Sequence, residues 1–372
     1  MRKIMNKNKS YKFTMGEICM ILLMLAVYFL AIFPTHYVHA TDIPCGSTYT
    51  AKVRGEKIRC VTPTSKPAPV PVPTAAPKPV ATPVPTPVPT SVPVLYDKLV
   101  NPGESIQAAI NSVTGTAAAR KIVIVKGGKW TLNAKLNMKS YVLVRAYPGT
   151  RPVIDPGTCA QCSVWFGTNA TGAEFSGFEV SGGWDGISIH GSGNTVKNNK
   201  IHGQWYTSIL VVSVSNTLIE GNETYNNGLN CKGWPTPNDI SPRHCHDVYL
   251  SNVPGYCTQM KGNKIINNYL GSSTGAGVNF NGNDCAKTGF YIDGTLVEGN
   301  EIVDVNTGIP LWHGTKNTII RNNSFSIQNP PPSDMPVSLK AAITVWGGAS
   351  DEPQMSGNTY KLKAGYGEFK RY

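Results

Sequence analysis

The sequence predicts an all-β protein built as a parallel β-helix, a solenoid in which each coil adds about 22 residues. Short segments with alternating apolar and polar residues recur between residues 173 and 360, and Gly or Asn bounds each of them, as expected for half-buried strands. One recurring segment has anchor residues at intervals of 22, 23, 41, 37, 23 and 35, namely Gly177, Asn199, Asn222, Asn263, Asn300, Asn323 and Asn358. A basal interval with occasional insertions fits coils whose strands stack in parallel.

A second recurring segment supports the same fold. It occupies residues 185–191, 207–213, 246–252, 276–282, 307–314 and 341–347. The distance from the first segment to the second varies from 9 to 26 residues, so most of the extra length enters the turn before the second strand. Loops added on one side of a solenoid usually wall a binding face. We therefore expect a groove along the outer face of the second strand.

The start of the domain is predicted to be a capping helix. Residues 102–113 place Ile106 and Ile110 on one helical face, with Ser105 as the N-cap. A helix here would cover the open edge of the first coil, which would otherwise invite aggregation. Strands at 122–128 and 140–147 follow it.

The same region carries a family resemblance. The runs PGESIQAAIN, KIVIVKGGKWTLN and VLVRAYPGTRPVID, followed by the Asn-containing repeats, resemble the right-handed β-helix (pectate-lyase-like) superfamily over about residues 98–360. The resemblance implies a right-handed, single-stranded β-helix. It does not imply one reaction, since this fold hosts lyases, hydrolases, epimerases and non-enzymatic surface proteins. The Gly-His-Gly of polygalacturonases, the Arg-x-Pro-x-x-Arg of one pectate-lyase group and the Asp-Pro-His-Asp of alginate epimerases are absent from the sequence.

Residues 1–94 are expected to lie outside this domain. Residues 1–40 combine five basic residues with an apolar run and a small-residue ending, which is the order of a secretory signal peptide or an uncleaved membrane anchor. Residues 41–62 form a small cysteine-containing segment, and residues 63–94, with twelve prolines, predict a polyproline linker. The β-helix domain then spans 95–372, either secreted or held at the outer face of the membrane by the N-terminal segment.

The charge balance limits the partners of the domain. The whole chain has a formal net charge of +12, but residues 95–372 carry 23 basic and 19 acidic residues. So small a surplus does not predict a nucleic-acid partner, which needs a dense Lys/Arg face. It is compatible with an acidic extracellular polysaccharide. We expect a monomer that meets the membrane only through its N-terminal segment.

Eight cysteines remain once Cys19 is assigned to the signal segment, and an even number in an exported protein predicts disulfides. The candidates are Cys45, Cys60, Cys159, Cys162, Cys231, Cys245, Cys257 and Cys285. The first two are expected to close a small N-terminal knot, and Cys159 and Cys162 form a C-x-x-C. A redox pair at that C-x-x-C and a zinc site using His244, Cys245 and His246 are the alternatives.

The expected groove floor follows from strand alternation, with Ile187, Val248, Val278, Ile309 and Ile343 pointing inward. The outward side chains suit sugar rings because they offer flat apolar faces and planar polar partners. The candidates for substrate binding are His190, Asn279, Asn281, Trp312, His313 and Trp346. One further column is expected outward and consists of Gly186, Ser208, Asp247, Gly277, Gly308 and Ala342.

The largest insertion, about 226–245, lies beside the strand that begins at His246. The catalytic candidates are Lys232, Arg243, His246, Asp247, Tyr249 and Asp185. For β-elimination of a uronate, Arg243, Lys232 or a bound metal would neutralise the carboxylate, and His246, Lys232 or Tyr249 would take the proton from carbon 5. Hydrolysis would instead use Asp185 and Asp247, expected two coils apart.

A lyase of uronate-containing glycans is the preferred interpretation. The alternatives are a glycan hydrolase or epimerase, and a non-catalytic carbohydrate-binding or cell-surface β-helix. Calcium stays undecided because no run of clustered acids forms an obvious oxygen cage. The repeated Asn residues are expected to be structural, because stacked Asn side chains satisfy turn backbone groups in coil after coil.

Overall fold

The computed structural model describes residues 50–54, 57–61, 95–157, 159, 161, 163–228, 244–333, 336, 339–346 and 351–372. The chain divides into two compact units, Met1–Val88 and Pro89–Tyr372. In the first unit, β1 (Thr50–Arg54) and β2 (Lys57–Val61) form an antiparallel hairpin. The predicted signal or anchor segment and the proline-rich linker lie outside the described residues. Among the helices that are described, none has the length and apolar character needed to cross a membrane.

The described strands of the second unit form three long parallel sheets, as the repeat predicts. Sheet 1 contains β3 (Lys98–Val100), β4 (Lys121–Val125), β7 (Val142–Ala146), β10 (Glu174–Ser176), β13 (Thr195–Lys197), β16 (Leu218–Glu220), β20 (Lys264–Ile266), β24 (Leu296–Glu298), β28 (Ile319–Arg321) and β31 (Gln354–Ser356). Sheet 2 contains β5 (Lys129–Thr131), β8 (Val153–Asp155), β11 (Glu179–Ser181), β14 (Lys200–His202), β17 (Glu223–Tyr225), β21 (Tyr269–Gly271), β25 (Glu301–Val303), β29 (Ser324–Ile327) and β32 (Thr359–Leu362). Sheet 3 contains β6 (Leu136–Asn137), β9 (Val164–Phe166), β12 (Asp185–Ile189), β15 (Thr207–Val212), β18 (His246–Ser251), β22 (Val278–Asn281), β26 (Ile309–Trp312), β30 (Ala341–Val345) and β33 (Gly367–Arg371).

The predicted capping helix is confirmed as α1 (Ile106–Asn111). Its N-cap is Ser105, whose hydroxyl accepts a hydrogen bond of 3.1 Å from the backbone N–H of Ala108. The buried side chains of Ile106 and Ile110 face β3, β4 and β6, so the helix covers the first coil. The helix therefore covers the first strands of sheets 1 and 3, which would otherwise be open edges.

A short fourth sheet shows that the insertions are distributed differently from the prediction. Sheet 4 contains β19 (Met260–Lys261), β23 (Ile292–Asp293) and β27 (Thr315–Lys316), all reached after a sheet-3 strand has ended. A 3-10 helix (Asn283–Thr288) lies in the same part of the chain. A disulfide joins Cys257 to Cys285 across these loops. Part of the extra length therefore follows the sheet-3 strands, and only the remainder precedes them.

The interior confirms the stacking of coils. Ile187, Ile209, Val248 and Val278 occupy matching positions in successive strands of sheet 3, and Ile309 pairs with Ile343. Each of these side chains is fully buried. Residues that are tens of positions apart in sequence are thus neighbours at the strand spacing of about 4.8 Å.

The stacked asparagines form a continuous ladder, with one correction to the predicted register. The ladder consists of Asn199, Asn222, Asn268, Asn300, Asn323 and Asn358. Each amide group from Asn199 to Asn323 bonds to the next side chain and to a backbone carbonyl, as in Asn268, whose Nδ2 donates to Ile219 O at 3.1 Å and to Asn300 Oδ1 at 2.9 Å. Asn263 belongs to a neighbouring column, because strand pairing aligns Ile265 with Ile219.

We expect Asn268→Ala to lower the free energy of unfolding by about 2–4 kcal/mol, because it leaves several buried backbone and side-chain groups unpaired. Chemical denaturation would measure this difference. Asn133→Ala, at an exposed position, is the control and should change stability by less than about 0.5 kcal/mol. Equal stabilities for the two variants would show that the ladder does not support the coil.

Candidate functional site

A cleft of about 580 Å³ opens on the outer face of sheet 3, and we call it the sheet-3 cleft. Seven of the residues predicted to be catalytic or to bind substrate line it, namely His246, Tyr249, Asn279, Asn281, Trp312, His313 and Trp346. They come together because strand pairing places Tyr249 beside Asn279 and Asn281 beside Trp312. The described lining residues also include Tyr206, His244, Thr307, Pro310, Pro336 and Leu339.

A bend at the start of the sheet-3 strands decides which side chains face this cleft. The column expected to point outward points into the solenoid instead. A Cβ on Gly186 would lie 2.7 Å from Ile201, and a Cβ on Gly308 would lie 2.7 Å from the ring of Phe325. Both neighbours are buried core residues, so this corner accepts small side chains. His246 and Thr307, which occupy the position one residue earlier, line the cleft.

Asp247 is the one acidic residue in this inward column, and its predicted outward orientation is wrong. Its side chain is fully buried, and Asn227 Nδ2 donates to its Oδ1. Thr224, a buried residue of sheet 2, is a second hydrogen-bond partner, while Oδ2 has no partner among the described residues. Burial raises the pKa of the Asp247 carboxyl well above its usual value. Burial therefore favours the neutral form of Asp247, and its side chain lies inside the corner, out of reach of a substrate in the cleft.

This burial predicts a pH-dependent stability difference between the wild type and Asp247→Asn. Because the folded-state pKa is raised, the contribution of Asp247 is complete below its unfolded pKa of about 3.9 and is lost as pH rises toward the folded value. We expect the wild type to lose stability relative to the variant by up to about 1.4 kcal/mol per pH unit across that window. Thermal unfolding from about pH 4 to pH 8 measures it. Asp284→Asn, at an exposed carboxyl whose pKa is lowered by Lys287, should show no such loss.

His246 is held in one tautomer. The backbone N–H of Ala276 donates to its Nδ1 at 3.0 Å, so Nδ1 is unprotonated and the ring proton is on Nε2. Burial, together with the nearby His244, lowers the pKa of His246 to about 3. The imidazole is therefore neutral near pH 7, with its basic nitrogen already engaged. Its chemistry in the cleft is to donate a hydrogen bond through Nε2, and the predicted role as a base does not fit this geometry.

Tyr249 lies at the centre of the polar part of the cleft. Asn281 Nδ2 donates to the Tyr249 hydroxyl at 3.0 Å, and the Tyr206 hydroxyl is hydrogen-bonded to the same group. Burial, with Tyr249 and Asp185 nearby, raises the pKa of Tyr206, so Tyr206 stays protonated and can donate to Tyr249. The His246 ring meets the Tyr249 ring edge-on at 5.1 Å between centroids. Tyr249 is thus a phenol surrounded by hydrogen-bond donors.

The other end of the cleft is aromatic. The rings of Trp312 and Trp346 lie 4.7 Å apart between centroids, and Tyr372 continues the row at 5.4 Å from Trp346. Both tryptophans are half-buried, so one part of each ring faces the cleft. Pro310 lies beside them in the floor. An aromatic platform next to polar groups is an arrangement that binds sugar rings through their apolar faces.

Asp185 and His190 lie outside this cleft. Asp185 borders a smaller recess of about 230 Å³, which we call the Trp165 recess and which is lined by Lys135, Gln161, Ser163, Trp165, Trp184, Asp185 and Ser188. Burial raises the pKa of Asp185 to about 7, although Ser188 donates to its Oδ2 at 3.1 Å. His190 stacks on Trp165 at 4.1 Å, and burial lowers its pKa to about 4. Strand pairing through β15 places Asp185 and Asp247 two coils apart, as predicted.

Several predicted groups lie outside the described residues. Lys232 and Arg243 belong to the segment 229–243, so their predicted roles stay predictions. The same holds for Cys45, Cys162 and Cys231. Cys159 and Cys245 are each in a disulfide, and a bonded Cys245 does not fit the zinc alternative. Within the described part of the chain, no group of three or more His, Cys, Asp or Glu side chains is placed to hold a metal ion.

Four lining residues were missed by sequence reasoning. Thr307 pairs with Ala276, which in turn lies beside His246, so Thr307 and His246 share one column. Strand alternation mispredicts this column because it takes no account of the bend at the strand start. Tyr206 immediately precedes β15, where alternation gives no information about direction. Pro336 and Leu339 come from an insertion between β29 and β30, whose course no local pattern predicts.

Comparisons with known proteins agree with this architecture. A family model described as a right-handed β-helix region matches residues 158–360, which is more than half of the chain. None of the curated proteins matches the chain.

Solved structures with a similar fold come from varied proteins. ORF18 of Geobacillus virus E2 is 14% identical with a TM-score of 0.44, and the match covers 73% of this chain and 59% of the viral chain. The alginate lyase from Paenibacillus sp. str. FPU-7 is 11% identical with a TM-score of 0.37, covering 74% of this chain and 98% of the lyase. The surface adhesin PfbA of Streptococcus pneumoniae is 13% identical with a TM-score of 0.39, covering 72% and 94%. At such identities the likeness concerns the fold alone.

Proposed function

Since this chain belongs to the right-handed β-helix family, we propose that its sheet-3 cleft binds an extracellular polysaccharide and cleaves a uronate-containing glycan by β-elimination. The observation that carries the proposal is the meeting, in one cleft, of an aromatic platform and a donor-lined phenol. The platform is Trp312 with Trp346, and the phenol is Tyr249. A site that binds sugars needs both features, because sugar rings present apolar faces and hydroxyl edges.

In the proposed reaction, Tyr249 exchanges the proton. Its hydroxyl oxygen, as the phenolate, takes the proton from carbon 5 of a uronate, and the electron pair of that bond forms the double bond between carbons 4 and 5. The bond from carbon 4 to the glycosidic oxygen breaks, and the leaving oxygen takes the proton back from Tyr249. Asn281 and Tyr206, which contact the Tyr249 oxygen, stabilise its negative charge.

Stabilising the substrate carboxylate is the second task of a β-elimination site. His246 can donate through Nε2, and Asn279 lies one strand further along the floor of the cleft. Lys232 and Arg243 are proposed to add positive charge from the segment before β18. These donors act in a partly enclosed cleft, where each interaction is stronger than in bulk water.

The carboxylate pair expected for hydrolysis is not supported by this geometry. Asp247 points into the solenoid, and Asp185 borders a different recess. The described residues that line the sheet-3 cleft include neither Asp nor Glu. Hydrolysis in the usual form needs two carboxyl groups about 5–10 Å apart across the scissile bond. The residues that line the sheet-3 cleft therefore support elimination better than hydrolysis.

The direct test is release of unsaturated uronate from pectins, alginates and glycosaminoglycans, followed by absorbance of the new enoate. A rise in absorbance with at least one polymer, accompanied by falling chain length, is the expected result. Reducing sugar released without enoate absorbance would replace elimination by hydrolysis. Retention on these polymers with no product would favour the second candidate function, a non-catalytic carbohydrate-binding surface β-helix, since the aromatic platform could serve binding alone.

We also propose that the protein is exported and works outside the cytoplasm, as a monomer. The disulfide between Cys257 and Cys285, with the bonded Cys159 and Cys245, supports an oxidising environment. Pairing of Cys159 with Cys162 and of Cys245 with Cys231 is the simplest assignment for the remaining bonds, because each pair is close in sequence. The basic and apolar residues at 1–40 support export through a signal peptide or retention through an anchor.

A further inference from the structure

The Trp165 recess lies on the same outer face of sheet 3 as the cleft. Trp165 pairs with Ser188, Ser188 with Leu210, and Leu210 with Tyr249, so one straight column of the sheet joins the two places. Three strand steps separate Trp165 from Tyr249, which is about 14 Å. A pyranose unit advances an extended glycan by about 5 Å, close to one strand step. A glycan chain lying along this column would therefore place one sugar in the Trp165 recess and another beside Tyr249 in the sheet-3 cleft.

The recess has an aromatic face with a cation over it. Lys135 Nζ lies 3.6 Å from the centroid of the Trp165 ring, and the opposite side of that ring stacks on His190. Lys135 takes part in none of the ion pairs formed by the described residues. Its side chain is exposed at the mouth of the recess, so the charge is available to a ligand.

The other titratable groups leave the recess positive. Burial raises the pKa of Asp185 to about 7, so this carboxyl is mostly uncharged below neutral pH. His190 is neutral there because burial and Lys135 lower its pKa to about 4. Tyr206, which interacts with Asp185, is protonated because burial raises its pKa. Lys135 is thus the dominant charge, and an anion is the ligand that it favours.

We propose that the Trp165 recess is a distal subsite that binds a carboxylate-bearing sugar about three units from the sugar at Tyr249, with Lys135 contacting the carboxylate. The inference rests on the proposed function and adds to it. It makes the protein selective for longer acidic chains, since only a chain that spans both places gains the second contact.

Binding of short and long oligomers to Lys135→Gln tests the subsite. The full chain carrying Tyr249→Phe, which keeps oligomers intact, is titrated with oligomannuronates and oligogalacturonates of three and six units. The same hexamers with their carboxylates reduced to alcohols are the ligand controls. We expect Lys135→Gln to weaken the binding of an acidic hexamer roughly fivefold and to leave the trimer and the reduced hexamer unchanged. Lys135→Arg should retain hexamer binding.

The control variant is Lys361→Gln, at an exposed lysine on sheet 2, and it should bind every oligomer like its parent. If Lys135→Gln and Lys361→Gln bind the hexamer equally well while trimers still bind the cleft, the subsite is wrong and the proposed function stands. Equal weakening of the acidic and the reduced hexamers would also refute recognition of a carboxylate. If no oligomer binds the parent protein, the subsite fails for mannuronate and galacturonate chains, and the release of unsaturated uronate from the polymers decides the proposed function.

Discussion

Tyr249→Phe is expected to slow glycan cleavage by on the order of 10²- to 10⁴-fold, the usual contribution of a positioned proton-transfer group. The substitution removes only the hydroxyl that meets Asn281 and Tyr206, and it keeps the ring that packs against His246. Binding of an intact polymer should therefore stay within about threefold of the wild type. The rate of enoate formation and a separate binding titration measure the two quantities.

Two further variants sharpen this test. Tyr206→Phe removes one donor to Tyr249 and should reduce the rate by a smaller factor, about 5- to 30-fold. Tyr225→Phe is the matched control, because Tyr225 stacks on His202 on sheet 2, away from the cleft. If Tyr249→Phe cleaved as fast as Tyr225→Phe, Tyr249 would not be the proton-transfer group, and the base would have to come from the segment 229–243.

The second large effect is expected on binding. Replacing both Trp312 and Trp346 with alanine should weaken polysaccharide binding by about 100-fold, since each removes an aromatic face worth roughly 1–2 kcal/mol to a stacked ring. The two rings contact each other, so the single variants should show effects that do not simply add. Affinity electrophoresis or calorimetry with the preferred polymer measures the loss.

Conservative replacements separate stacking from folding. Trp312→Phe keeps an aromatic face and should retain most of the affinity, whereas Trp312→Ala should not. Thermal unfolding of each variant tests whether the half-buried ring is needed for the fold. Equal affinities for Trp312→Ala and Trp312→Phe would contradict the platform and move the binding surface elsewhere on the solenoid.

The register of the asparagine ladder could not be predicted from the local sequence pattern alone. The runs ending at Asn263 and at Asn268 both contain an apolar residue, a turn and an Asn, so the local sequence fits either register. Only the pairing of Ile265 with Ile219 decides between them. A buried strand can accept either alignment locally, and the choice depends on which alignment fills the interior of the neighbouring coil.

The direction of the Asp247 side chain is a second feature that strand alternation does not predict. Alternation alone places it on the groove, and its acidic side chain favours an exposed position. The bend at the strand start reverses its direction, and Thr224 and Asn227, more than 19 residues earlier, satisfy one carboxyl oxygen. Neither the bend nor these partners can be read from the residues next to Asp247.

The solenoid, the capping helix and the common column of Ile187, Val248 and Val278 could all be predicted from the residues alone, because a repeat of about 22 residues leaves few other ways to bury alternating apolar side chains. The repeat also places Tyr249, Asn281 and Trp312 on one face, since they share a phase in it. The direction of Asp247, the tautomer of His246 and the separation of Asp185 from the cleft instead follow from three-dimensional contacts. Those outcomes depend on corners and insertions, where contacts between distant segments outweigh the periodicity of the strand.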